Sequence, residues 1–254
     1  MQPLAIDSAN RPVAVTQESD FPVPESSSPK AARGDLPAYP VAEAALYVRV
    51  APATLRSWVV GREYPTNKGT RRFHPLIRLA DRQHRLLSFN NLVEAHVLRA
   101  LRTAHGTPVH AIRKALDYGE TSLGINRLLL SRELYTDKRE LFLDHYGQLI
   151  NLSRSGQLAM RAMLEVHLSR IEWEASVFPL RLFPFVRTEG VEAPRHITID
   201  PNVGFGRPIL QRRGISTRAI VDRIDAGESV ESLAEDYRLE VSEIQEAVVY
   251  ERAA

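Results

Sequence analysis

The sequence contains no cysteine. Disulfides, zinc ribbons and thiol nucleophiles are excluded together, and a reducing compartment, the cytoplasm, is the expected location. No run of about 18 apolar residues is present, so no membrane span is expected, and no basic stretch followed by an apolar one opens the chain as a secretory signal would. There is no tandem repeat. Catalytic signatures are missing as well. No Gly-x-Ser-x-Gly elbow occurs, and Gly204-Phe-Gly206 is followed by no lysine-serine/threonine pair, so it is not a phosphate loop. His96, His105 and His110 are dispersed without a carboxylate at ligand spacing and read as packing or surface histidines. Asp137, Glu140 and Asp144 fall on an expected hairpin, where exposed carboxylates are routine. No enzyme, metal or cofactor is expected.

What is present is enough apolar material, 44% of 254 residues, to bury real cores. The net charge of +2 conceals an uneven distribution. Residues 49–85 hold nine basic side chains against two acidic ones, a balance of +7. Residues 217–254 hold ten acidic against four basic, a balance of −6. Ends of opposite sign suggest two different partners.

Residues 1–37 are rich in proline, serine and alanine and read as a solvated tail. A first helix is expected over 41–48 and a short turn at 49–51. Pro52 then opens a second helix, ending at Gly61. Together these form a helix-turn-helix unit. A hairpin is expected from 76–79 and 85–88, then a helix from Asn90 that Gly106 stops. A further helix, capped by Thr107, should run from Pro108 to Gly119. Between 120 and 195 the expectations are a hairpin at 141–152, a helical face of Met160, Leu164, Leu168 and Ile171, and an edge strand within 177–186, where Pro179 and Pro184 intervene. The helix at 157–173 is a possible dimer surface. A strand at 196–199 precedes three helices at 217–225, 230–237 and 241–252, with Ser229 as a cap. The fold class is mainly α: a winged helix-turn-helix at 38–119, a small α+β segment at 120–195 and a trihelical unit at 196–254.

Tyr39-Pro-Val-Ala-Glu-Ala-Ala-Leu, Ala53-Thr-Leu-Arg-Ser-Trp58 and Leu87-Ser-Phe89 together resemble the winged-helix DNA-binding domain of the MerR superfamily. The resemblance places the leucine-arginine-aromatic run on the recognition helix and makes the hairpin the wing. The hairpin is long for that family, and nothing C-terminal resembles a coiled coil or metal-sensing cysteines. A recognition helix enters the major groove while cations on helix and wing contact phosphates. The DNA-contact candidates are therefore Thr54, Arg56 and Ser57 on the helix, with Arg56 and Ser57 for base edges, and Arg62, Lys68, Arg71, Arg72 and Arg78 behind it. Trp58 reads as core.

A second resemblance covers the last 55 or so residues. It is carried by Ile197-Thr-Ile-Asp-Pro201, Gly204-Phe-Gly-Arg-Pro-Ile209, Gly214-Ile-Ser216, Asp225-Ala-Gly-Glu-Ser229, Leu233-Ala-Glu-Asp-Tyr237 and Val241-Ser-Glu-Ile-Gln-Glu-Ala247. This stretch is similar to domain of unknown function 433. Its usual glycine-threonine-arginine run appears here only in part, as Gln211-Arg-Arg-Gly214. The family implies a trihelical unit found in antitoxins, commonly encoded beside toxins with a PIN-like nuclease fold. With the front end, the chain looks like a VapB-type antitoxin. The implied partners are double-stranded operator DNA and a PIN-like nuclease toxin, with a homodimer or a hetero-oligomer with toxin as the assembly. Glu240, Glu243 and Glu246 would repel phosphate, so an acidic face for protein contact is expected there, with Arg207, Arg212 and Arg213 as arginines that could pair with nuclease carboxylates. The alternative reading is a stand-alone regulator whose residues 120–195 sense a ligand; an enzyme built on the central segment is a third.

Overall fold

The computed structural model describes residues 33–67, 69–103, 108–131, 134, 139–150, 153–174, 178–186 and 193–252. Order begins earlier than the tail reading expects. Asp35 accepts hydrogen bonds from Asn90 Nδ2 at 2.8 Å and Arg127 Nη1 at 2.9 Å, so at least this part of the expected tail is tied to the body. The remainder, 1–32, lies outside the described residues.

A short strand, β1 (Tyr39–Pro40), leads into α1 (Val41–Tyr47) and α2 (Pro52–Val59). Pro52 takes the first turn of α2, where its missing N–H costs nothing. Leu55, Trp58 and Val59 follow at helical spacing and are buried, which confirms Trp58 as core and turns Arg56 outward. The wing is β2 (Arg62–Thr66) paired antiparallel with β3 (Gly69–Phe73).

Of the hairpin expected at 76–88 only a single antiparallel bridge forms, between Asp81 and Leu86. Ile77 and Leu79 turn into the core, the amides of Leu76 and Ile77 donate to the Trp58 carbonyl, and β4 (Leu86–Leu87) pairs with β1. Apolar residues gain more from the core than from an isolated two-stranded ribbon. The true wing is largely exposed and shows no apolar alternation, the signal that would have located it.

Helix α3 (Phe89–Thr103) is the central element, with Leu92, Val93, Ala95, Val97, Leu98, Ala100 and Leu101 all buried. Ser88 Oγ accepts from the Asn91 amide, and Asn91 Oδ1 accepts from the Ser88 amide, a reciprocal cap. Helix α4 (Val109–Thr121) passes through Gly119 instead of stopping there. A Cβ at Gly119 would lie 2.5 Å from Leu128 Cδ2, so this glycine serves close packing. The expected stop at Gly106 and cap at Thr107 lie outside the described residues.

The second expected hairpin is instead a helix through Leu149. In α5 (Arg139–Leu149), Phe142, Leu143 and Tyr146 are buried and the Tyr146 hydroxyl donates to the Leu101 carbonyl at 3.0 Å. Three apolar residues in a row could not separate period 2 from period 3.6. Glu140 and Asp144 thus lie on a helix, and Asp137 lies outside the described residues.

Helix α6 (Arg154–Leu168), capped by Ser153, buries Met160, Leu164 and Leu168 and ends before Ile171. Ile171 and Trp173 belong to β5 (Ile171–Glu174), which pairs with β6 (Phe178–Leu182) across a bulge.

The final unit is a three-stranded antiparallel sheet, β7 (Ile197–Thr198), β8 (Ile209–Leu210) and β9 (Ile215–Ser216), followed by α7 (Thr217–Asp225), α8 (Val230–Tyr237) and α9 (Val241–Arg252). Ser229 caps α8 through the Ser232 amide, as its position suggests. One hydrophobic cluster runs from Tyr39 through Tyr146 to Tyr250, joining front, middle and back.

Candidate nucleic-acid interface

The outward side of α2 presents Pro52, Ala53 and Arg56 to solvent, with Thr54 and Ser57 half-buried beside them. Ser57 Oγ donates to the Thr54 carbonyl at 2.8 Å and keeps its lone pairs for an incoming donor. The wing starts three residues after α2, and Gly61 makes this possible. Its φ is +85°, and a Cβ would sit 2.3 Å from the Phe73 carbonyl oxygen.

Strand register sorts the wing cations into two sets. Arg62 lies opposite Phe73 and Tyr64 opposite Arg71, so these four share one face. Glu63 lies opposite Arg72 on the other face, a carboxylate across from the cation but not paired with it. The first face closes a groove of about 370 Å³ against α2, lined by Ala53, Thr54, Ser57, Arg62, Tyr64, Phe73 and, from α3 and α4, Arg102 and His110. Sequence reasoning does not place Tyr64, Arg102 or His110 among the candidate DNA contacts. Alternation would find the first once the wing is placed; the others depend on tertiary packing. Arg113 of α4 steadies the wing, its guanidinium 5.1 Å from the Phe73 ring centroid and hydrogen-bonded to the His74 and Pro75 carbonyls.

The remaining front cations divide. Arg56, Arg62, Arg71, Arg72 and Arg78 are exposed, and no ion pair engages them among the described residues. Arg78 lies off the wing, at a charged cavity of about 730 Å³ between 75–80, α3, α4 and 126–129. There Glu94 accepts from Asn91 and Arg127, and burial pushes its carboxyl above the usual range. Arg49 is withdrawn from the surface set: it is half-buried and bonded to the back of the chain. Lys68 lies outside the described residues.

The C-terminal candidates are placed otherwise than an exposed acidic face requires. Glu243 is 5% exposed, and its carboxylate accepts the Glu240 amide at 2.8 Å, which makes it the capping residue of α9. Arg212 pairs with it at 3.2 Å and donates to the Arg238 carbonyl. Glu246 is buried against His196 at 2.5 Å. Glu240 alone of the three glutamates is exposed. Arg207 pairs with Glu43 of α1, and its guanidinium lies 5.6 Å from the Tyr39 ring centroid. Arg213 is exposed, with no ion pair among the described residues. Of the histidines, His96 is buried, His110 is exposed and His105 lies outside the described residues. Among the described residues no group of three or more histidines and carboxylates could hold a metal, and no helix is long and apolar enough to cross a membrane.

Known proteins of the same kind bear on both ends. Residues 37–116 match the family described as "Putative DNA-binding HTH domain", and residues 197–250 match "Protein of unknown function (DUF433)". The chain is 29% identical over 233 residues to a Mycobacterium tuberculosis protein named "Putative antitoxin VapB45", covering 85% of this chain and 94% of that one. It is 24% identical over 221 residues to "Uncharacterized protein Rv2308" of the same organism, covering 85% and 90%. The crystal structure of Rv2018 from Mycobacterium tuberculosis shares the fold, with a TM-score of 0.60 at 23% identity, over 84% of this chain and 98% of that one. The chain thus carries a match to a DNA-binding helix-turn-helix family at its front and a match to DUF433 at its back.

Proposed function

We propose that this protein is an antitoxin of a type II toxin–antitoxin system. In this reading it binds operator DNA through α2 and the wing, represses its own operon, and neutralises a PIN-like ribonuclease through its C-terminal unit. The observation that carries the DNA half is the set of unpaired arginines, Arg56, Arg62 and Arg71, on a recognition helix and the adjoining face of its wing. A helix-turn-helix that kept its shape for packing alone would have no use for uncompensated cations gathered there. The toxin half is supported by the relative named as an antitoxin and by the DUF433 match. A homodimer would match a two-fold operator.

The test is a mobility shift of the chain's own promoter fragment, with the Arg56→Ala/Arg71→Ala variant as control. Co-expression with the nuclease encoded beside the gene tests the second half. A promoter fragment that wild type does not shift at low salt removes the DNA reading, and unrelieved growth arrest removes the toxin reading. The alternative, a stand-alone regulator, is favoured by one observation: the 730 Å³ cavity touches the wing root at Pro75 and Leu76. A small molecule that altered DNA affinity without any nuclease would support it.

A further inference from the structure

Phe205 is 96% exposed, whereas no other large apolar side chain among the described residues exceeds 58%. Its backbone is left-handed at φ 54°, and its neighbours Gly204 and Gly206 have φ of 55° and 73°. A bulky residue there is strained by on the order of 1–3 kcal/mol. The loop is nevertheless rigidly held. Gly206 is buried, its carbonyl accepts the Tyr39 hydroxyl at 2.9 Å, and its amide donates to the Val203 carbonyl at 3.0 Å. The chain therefore bears a strained backbone and a wholly solvated aromatic ring together, and neither contributes to its own core.

We propose that Phe205 is the anchor by which this chain docks its partner nuclease, inserting into an apolar pocket rimmed by carboxylates. This rests on the antitoxin reading above and deepens it. An aromatic held in advance on a fixed loop loses little entropy on binding, a property of interface hot spots. Val203, 40% exposed, extends the apolar tip. Charge identifies the partner's chemistry. Arg207 follows in the loop, Arg33 reaches Asn202 at its base, and Arg181 pairs with Asp200 beneath it, three cations against the two carboxylates of Glu43 and Asp200. A metal-dependent nuclease gathers carboxylates around its cleft and so presents the complementary field. The tip lies on a different element from the recognition helix and wing.

The experiment uses the full chain with a catalytically inactive form of the nuclease encoded beside its gene. Phe205→Ala and Phe205→Gly are measured for nuclease affinity, promoter affinity and sedimentation. Phe205→Gly relieves the left-handed backbone, so its melting temperature should not fall and loss of fold is not an explanation. Both variants should weaken nuclease binding at least tenfold, Phe205→Tyr should stay within threefold of wild type, and promoter affinity should be unchanged. Nuclease binding unchanged in the alanine and glycine variants overturns the proposal. So does a fall in promoter affinity, which would make the ring a DNA wedge, or a change in the oligomeric state of the chain alone, which would make its occupant a second copy. If wild type itself does not bind the nuclease, the antitoxin reading fails and takes this inference with it.

Discussion

The guanidinium of Arg49 lies 4.5 Å from the ring centroid of Tyr250 and donates to the Tyr250 carbonyl oxygen at 2.5 Å. The Tyr250 hydroxyl donates in turn to the carbonyl of Tyr47 at 3.3 Å. The last helix is thereby latched to the turn of the helix-turn-helix, and burial lowers the Arg49 pKa from its ordinary value. One of the nine front cations is thus a strut. Arg49→Ala should cost about 2 kcal/mol of stability, the scale of a charge-assisted hydrogen bond and its packing. Denaturant unfolding measures that, and the salt dependence of DNA binding should not change.

The two faces of the wing give a sharper expectation. Arg71 shares its face with Tyr64, which lines the groove against α2, whereas Arg72 is opposite Glu63 on the far face. Removing one cation that neutralises a phosphate should flatten the log–log salt slope by about 0.9. Arg71→Ala should show that change in a fluorescence-anisotropy titration, and Arg72→Ala should show much less. Equal effects would mean that the wing meets DNA edge-on.

Gly206 makes a prediction about the loop under Phe205. A Cβ there would lie 2.2 Å from the Tyr39 hydroxyl oxygen, at a φ of +73°. Gly206→Ala should destabilise the chain by about 2–4 kcal/mol through steric overlap and backbone strain together. Adding Tyr39→Phe removes the overlapping oxygen and should recover part of that stability, which paired thermal melts can separate.

The buried pair His96 and His167 sets a pH window. Their rings are 5.0 Å apart beside Phe185, with His96 Nε2 donating to the His167 carbonyl and His167 Nδ1 to the Met163 carbonyl. Burial holds His96 well below its usual range and His167 down to about 4, with Arg99 and Arg170 opposing protonation further. The folded state binds fewer protons than the unfolded one, so this stability is present above about pH 6.5 and lost as the pH falls towards 4. The His167 shift alone corresponds to roughly 3 kcal/mol at most. Melts between pH 7 and 5, above most carboxylate titration, should show the decline, and His96→Gln/His167→Gln should flatten it.

Local signals made much of the fold legible. Pro52, the Ser229 cap and the apolar spacing of 217–252 set helices where they occur, and Trp58 is core as its place on α2 suggested. The failures share one cause. The wing residues lack apolar alternation, while Leu76-Ile-Arg-Leu79 and Leu141-Phe-Leu143 carry apolar runs too short to reveal their period, so tertiary packing decided both. At the site, charge counting located the front cations but could not see that Arg49 is enclosed. It also could not see that Glu243 spends its carboxylate on a helix cap and Glu246 on His196. The exposure and backbone strain of Phe205 exist only in three dimensions.

The most direct test of the DNA-binding account is the salt dependence of affinity for the chain's own promoter. Four phosphates neutralised by the front cations correspond to a slope of about −3.6 in log affinity against log salt. Wild type should give a slope near that value, and Arg56→Ala/Arg62→Ala/Arg71→Ala should bring it to about −1 with the melting temperature unchanged. A wild-type slope near zero, or a triple variant indistinguishable from wild type, would contradict it.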